Sequence, residues 1–248
     1  MVSNKSLVAS VETNHEDQIH DCQFDFYGTK MATASRFYLF FEKSLSFIFS
    51  DKSIKIFESH DDKMVPISEI KAHDCAVWQV SWSHPKFGTL LASASFDTQV
   101  KIHAENQDGS WSTVHTYGGH RSSVNAVQFA PAEFGLVLAC GSTDGNVSIL
   151  TGDSKDASHW ESNTFQAHKG GVNAISWAPA ASMGDLCQEP TAGDATNQGS
   201  AMRKRLVTAG NDNQVRIWEE GESLFAFLPV LIERFKPRTA SGAKYKAI

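Results

Sequence analysis

The sequence predicts an all-β fold, an incomplete β-propeller of about four blades, and three observations carry that prediction. A unit of nearly constant length recurs: His73 to His120 is 47 residues and His120 to His168 is 48. Each unit places an aspartate six residues before its last position, as Asp51–Phe57, Asp97–His103, Asp144–Leu150 and Asp212–Trp218. Apolar residues alternate with period two after each repeat histidine, the pattern of a strand with one packed face. Repeats of this length built from short strands are the mark of stacked blades.

The first unit runs from His15 through Ile19–Phe24 and Met31–Ser35 to Asp51 and Phe57. The second holds Ala72-His73, Val77–Trp82, Leu91–Asp97 and His103. The third holds Gly119-His120, Val124–Pro131 and Leu138–Leu150, and the fourth Ala167-His168, Val172–Pro179 and Val207–Trp218. Seven and nine residues after the histidine stand Cys22 and Phe24, Val80 and Trp82, Val127 and Phe129, and Ile175 and Trp177, expected to face a core. Pro85, Pro131 and Pro179 follow these strands, and a residue without an N–H ends a ladder. A Leu-Ala-Ser/Cys strand, a tight aspartate turn and a Val-x-Ile strand come next. A polar turn at 106–109 then leads to a fourth strand at Trp111. Four antiparallel strands make one blade. The repeat boundaries fall near 8–60, 66–114, 115–163 and 164–220, giving one propeller fragment over 1–220 and a tail over 221–248.

Composition narrows the function. A formal charge of −6 argues against direct nucleic-acid binding. The cysteines Cys22, Cys75, Cys140 and Cys187 form no CxxC pair, so a reduced compartment is expected, without disulfide or zinc. The first residues carry no apolar signal core and no run is long enough to span a bilayer, so membrane association is expected to be indirect.

A histidine, a hydroxyl and an aspartate recurring together invite a catalytic reading. A nucleophile triad would occur once, beside a cleft. Here the set repeats with the blades: His15 with Asp51, His73 with Ser93 and Asp97, His120 with Asp144, His168 with Asp212. The expectation is a structural network, histidine on the loop entering strand one, hydroxyl on strand two and aspartate in the turn after it. Its buried members satisfy one another. His20, His60, His84, His115 and His159 show no metal-ligand spacing, and most are expected in loops or at the surface. No catalytic residue, cofactor site or metal site is expected.

The stretches HEDQIHDCQFDFYGTKMATAS (15–35), AHDCAVWQVSWSHPKFGTLLASASFDTQVKI (72–102), HRSSVNAVQFAPAEFGLVLACGSTDGNVSILT (120–151) and AHKGGVNAISWAPA (167–180) carry a resemblance. The chain resembles the SEC thirteen family of small WD40 proteins, shared by the COPII vesicle outer coat and the Y-shaped scaffold of the nuclear pore. The resemblance covers most of residues 8–220. It implies an open six-bladed propeller completed by a blade from a partner: the large COPII outer-coat subunit, or a helical-solenoid nucleoporin of the Y complex. It also implies subunits of a nutrient-signalling complex on the lysosome as partners. Locations follow: cytoplasm, coated vesicle and endoplasmic reticulum membrane, nuclear envelope and lysosomal membrane. Near the seam it points to Val8, Ala9, Ser10 and Val11 as a partner-contacting strand.

Two departures stand out. Residues 36–49 interrupt an expected tight turn, and nine of those fourteen are apolar. They read as an in-frame intron remnant or splice variant, against a docking or membrane-interface loop or a lineage-specific loop. After Trp218 no further unit follows, so blades five and six are expected to be missing, as in a truncated isoform. Leu224–Ile232 can add an outer strand to the fourth blade, and the basic tail reads as solvated. Competing roles are a generic WD40 adaptor, such as a ubiquitin-ligase substrate receptor, and a propeller hydrolase. The latter requires a unique carboxylate or histidine cluster at the starts of the first strands.

Overall fold

The computed structural model describes residues 10–35, 52–60, 63–153, 156–180, 204–221 and the backbone of 227–229. These form four separate antiparallel sheets of four strands, each built in chain order. Blade 1 is β1 (Ile19–Phe24), β2 (Lys30–Ser35), β3 (Ser53–His60) and β4 (Lys63–Lys71). Blade 2 is β5 (Val77–Trp82), β6 (Leu90–Ser95), β7 (Val100–Glu105) and β8 (Trp111–Tyr117). Blade 3 is β9 (Val124–Phe129), β10 (Val137–Ser142), β11 (Asn146–Gly152) and β12 (Trp160–Gln166). Blade 4 is β13 (Val172–Trp177), β14 (Arg205–Gly210), β15 (Val215–Glu220) and β16 (Phe227–Pro229).

The phase of the repeat differs from the sequence expectation. Residues 66–71 were assigned to the second unit but belong to β4, which pairs with β3 of blade 1. The boundaries at 114/115 and 163/164 likewise fall inside β8 and β12. A period fixes the length of a unit and not the point at which each sheet begins, and the outer strands carry none of the repeated polar landmarks.

The core lies between blades. Ala32, Ala34, Ile54, Ile56 and Ile70 of blade 1 pack against Val77, Val80 and Leu91 of blade 2. Leu90, Ala92, Val100 and Ile102 of blade 2 meet Val124, Val127, Leu138 and Leu150 of blade 3. Val137, Ala139, Val147 and Ile149 of blade 3 meet Val172, Leu206 and Trp218 of blade 4. Each side chain removed from water in this way contributes about 1.5–3 kcal/mol. The seams are also pinned by hydrogen bonds between neighbouring inner strands, the third of them two residues farther along its strands than the first two. Asp21 Oδ2 accepts the Val80 N–H at 3.0 Å, Gln79 Oε1 that of Val127 at 2.9 Å, and Gln128 Oε1 that of Trp177 at 3.0 Å.

β1 breaks the burial expected from its alternation. Cys22 is exposed and Phe24 is 59% exposed, whereas the equivalent Val80 and Val127 are fully buried. Among the described residues no blade lies upstream of β1, so the face that should be core meets solvent. On the opposite end of the array Val215 of β15 is 70% exposed. The ring is open between blades 4 and 1.

Candidate functional site

Blade 4 contains the fullest version of the repeated polar set. His168, on the loop entering β13, donates through Nδ1 to Asp212 Oδ1 at 2.8 Å. Its Nε2 accepts from the Thr208 hydroxyl at 2.8 Å, and the Trp218 indole N–H donates to the same hydroxyl at 2.9 Å. Asp212 closes the β14–β15 turn by accepting the Gln214 N–H at 3.2 Å. A short carboxylate that can take a backbone donor two residues on is what such a turn needs.

The hydroxyl position is fixed by register. Thr33, Ser93, Cys140 and Thr208 pair respectively with Cys22, Val80, Val127 and Ile175 of the inner strands. In blade 2, His73 reaches Asp97 at 2.8 Å and Ser93 at 2.7 Å. In blade 3, His120 reaches Asp144 at 3.2 Å, but Cys140 stands where the hydroxyl should be, and the buried Nε2 of His120 has no hydrogen-bond partner. In blade 1, His15 Nε2 meets Thr33 Oγ1 at 2.8 Å; Asp51 lies outside the described residues. Thr33 and Thr208 were not singled out in the sequence, although the Thr-Ala and Thr-Ala-Gly runs around them match Ser93-Ala and would have found them.

Electrostatics follow burial. Burial opposes ionisation of Asp97, but the His73 hydrogen bond and charge outweigh it and hold the carboxyl at about 2. Asp144 is lowered as well, because the Arg121 and Asn146 backbone N–H groups and His120 overcome its burial. His120 is lowered since burial outweighs the attraction of Asp144. Burial pushes the Cys140 thiol up, so it behaves as a small apolar group. The side chains of His73, His120 and His168 have no accessible surface. A group that water cannot reach cannot touch a substrate. The three histidines are thus enclosed, with only their aspartates reaching the surface.

A feature the sequence reading missed lies on the inner strands. Each starts with a register shift, leaving His20, Trp78, Asn125 and Asn173 without an opposite residue. All four sit five residues after a repeat histidine. A bulge re-aims its side chain, and these four, with Asp21 and Gln79, line a cavity of about 160 Å³ shared by all four blades. At the other ends of the same strands Phe24, Trp82, Phe129 and Trp177 line a larger cavity of about 430 Å³. Residues of all four inner strands therefore border both cavities. Of His20, His60, His84, His115 and His159, most of which were expected in loops or at the surface, His20 and His115 are the exceptions. They are instead half-buried strand residues, in β1 and β8, because each packs its ring against a tryptophan, Trp78 and Trp160. Among the described residues no group of His, Cys, Asp or Glu is placed to hold a metal ion, and no helix is long and apolar enough to cross a membrane.

Of the seam strand, Ser10 is exposed and Val11 half-buried, neither in a strand, while Val8 and Ala9 lie outside the described residues. The segment 36–49 and most of the tail lie outside them too; within Leu224–Ile232 the backbone of Phe227–Pro229 pairs with β15.

Comparison with known proteins matches this architecture. The family described as WD domain, G-beta repeat, matches residues 64–103, 111–150 and 160–219. Each match begins on the outer strand of one blade and continues through three strands of the next, which accounts for the phase difference found above. The chain is 42% identical over 215 residues to the Protein SEC13 homolog of Drosophila melanogaster, covering 87% of this chain and 55% of that protein. It is 44% identical over 220 residues to Protein transport protein SEC13 of Coccidioides immitis, covering 86% and 64%. Against the protein of that name from Mycosarcoma maydis it is 35% identical over 249 residues, covering 89% and 64%. The chain thus spans between half and two thirds of the length of these relatives. It belongs to the WD40 repeat family.

Proposed function

We propose that this chain is a non-enzymatic scaffold subunit of protein-transport machinery, holding partner proteins rather than transforming a substrate. The observation that carries this reading is the pair of uncovered blade faces. Ile19 and Phe24 of β1 are 44% and 59% exposed, and Val215 of β15 70%. Their counterparts at the three formed seams are buried, apart from the half-buried Trp82. Exposed apolar faces and strand edges invite another polypeptide, and strand addition supplies backbone hydrogen bonds together with burial. The relatives named for protein transport support the same direction.

Within that reading the partners are the large COPII outer-coat subunit, helical-solenoid nucleoporins of the Y complex, and nutrient-signalling subunits on the lysosome. The open seam, with Ser10 and Val11 beside it, is where a donated blade docks. Localisation follows the partners: coated vesicles and the endoplasmic reticulum membrane, the nuclear envelope and the lysosomal surface. Affinity purification of the chain followed by mass spectrometry tests this. Recovery of coat and pore subunits is expected, and their loss in a Phe24→Asp variant. Recovery of ubiquitin-ligase subunits in their place would overturn it in favour of a generic adaptor.

A further inference from the structure

Blade 2 departs from blade 4 at one position. Where blade 4 has Trp218, paired with Leu206, blade 2 has His103, paired with Leu91. His103 is fully buried. Its Nε2 is 3.0 Å from Ser93 Oγ and its Nδ1 is 3.1 Å from Thr113 Oγ1 on β8. Ser93 is also held by His73, so five side chains join in one line: Asp97, His73, Ser93, His103, Thr113.

Counting hydrogens along the line gives one consistent arrangement. Asp97 accepts from His73 Nδ1–H, so the Nε2 of a neutral His73 is bare and accepts the Ser93 O–H. Ser93 oxygen then accepts from His103 Nε2–H, as Thr208 accepts from the Trp218 indole. His103 Nδ1 is left bare and accepts the Thr113 O–H. With both imidazoles uncharged, every donor in this arrangement meets one acceptor. We infer that His103 makes blade 2 an acid-sensitive joint of the array, whose β7–β8 half loosens on acidification before the matching half of blade 4. A proton added to His103 lands on Nδ1, reverses the bond to Thr113 and places a charge where no carboxylate is in contact with it.

The charged surroundings give that proton no compensation. Lys101, and His73 when it carries a proton, raise the positive potential at His103, and Lys101 Nζ is held by the Ala72 carbonyl at 2.7 Å. Asp97 sits beyond His73. Glu105, farther along β7, is paired to Lys30 of blade 1. The other contacts, Ser93 and Leu91 of β6 and Thr113 of β8, are uncharged, and His115 of β8 lies opposite Ile102 with its ring near Trp160. Burial first, then His73 and Lys101, depress His103 to about 3 from the ordinary 6.5. A base depressed on folding contributes stability that is complete above the unfolded value and lost as pH falls below it. The window therefore runs from about 6.5 down to about 3, at up to tenfold in the opening equilibrium per pH unit.

The experiment is amide exchange followed by mass spectrometry between pH 7 and 5, each peptide corrected for its intrinsic rate. Opening of β7–β8 is expected to grow at least tenfold more than that of β14–β15. In a His103→Gln variant, whose amide donates to Ser93 without titrating, the excess should vanish. His103→Trp, copying blade 4, should do the same where it folds. Nitrogen chemical shifts of the His103 ring should report the Nε2–H tautomer. Equal acid response in the two blades, an unchanged response in His103→Gln, or an Nδ1–H tautomer would overturn the inference.

Discussion

Blades 3 and 4 have the same strand order, the same pairing register and the same aspartate turn, yet fill the centre of the sheet differently. Blade 4 runs Asp212–His168–Thr208–Trp218 without a gap in hydrogen bonding. Blade 3 stops at His120, with Cys140 and Leu150 in the places of Thr208 and Trp218. Both keep their turns: Asp144 accepts the Arg121 and Asn146 N–H groups, each at 2.9 Å. The aspartate and histidine are therefore what the turn requires, and the hydroxyl and indole can be exchanged for apolar packing. Leu150 and Cys140 are both fully buried in the core between blades 2 and 3, so the exchange is filled volume rather than a void.

The contrast is sharpened most by removing the histidine from each blade. His168→Ala leaves the Thr208 hydroxyl and the Asp212 carboxylate without their shared partner, and should cost about 3 kcal/mol in urea unfolding. His120→Ala removes a ring already missing one bond and should cost about half that by the same rule. Equal losses would mean that packing of the ring, and not its bonds, sets the energy. Acid separates the blades further. His120 is depressed on folding, so its contribution is complete above about 6.5 and falls as pH drops. Asp144, also depressed, contributes above about 3.8 and is lost on further acidification. Replacing His120 by Gln should flatten stability between those two values.

Trp218→Leu converts blade 4 toward blade 3. It removes the donor to Thr208 and the ring contact with Phe165, whose centroid is 4.8 Å away. A loss of about 2 kcal/mol is expected from the cavity and the weakened bond together. A neutral result would show that the blade 3 filling works in either sheet without adjustment.

How much of this the sequence shows depends on whether a residue is set by its own blade or by its neighbour. The spacing of His73, Ser93 and Asp97 exposes a set joined within one sheet: the His–Asp interval of 24 residues returns in blade 3, and the step from Ser93 to Asp97 returns from Thr208 to Asp212 in blade 4. Phe24 cannot be read that way. It alternates as Trp82 and Phe129 do, but its burial depends on a blade upstream, which no local pattern records. His103 is hidden for a related reason: it ends a repeat where Trp218 ends another, and only three-dimensional pairing shows that an imidazole has taken an indole's bond. The bulged set His20, Trp78, Asn125 and Asn173 is equally silent, because a skipped pairing has no composition of its own.

The smallest expected effect tests the comparison most directly. Cys140→Ser places a hydroxyl opposite Val127, the position at which Thr33, Ser93 and Thr208 meet their histidines in the other three blades. The Cys140 thiol now contacts the Ser148 carbonyl at 3.3 Å and leaves His120 Nε2 unpartnered. A serine can accept or donate at that nitrogen while remaining near the same carbonyl. Completing a buried bond is worth about 1 kcal/mol, against a smaller loss of sulfur dispersion. Blade 3 should therefore become slightly more stable, by about 0.5–1 kcal/mol in urea unfolding. The His120 ring resonances should shift at the same time, since Nε2 gains a partner. Destabilisation without that shift would mean that the strand cannot bring the shorter side chain within reach, and that blade 3 is committed to apolar filling by its backbone rather than by the choice of Cys140.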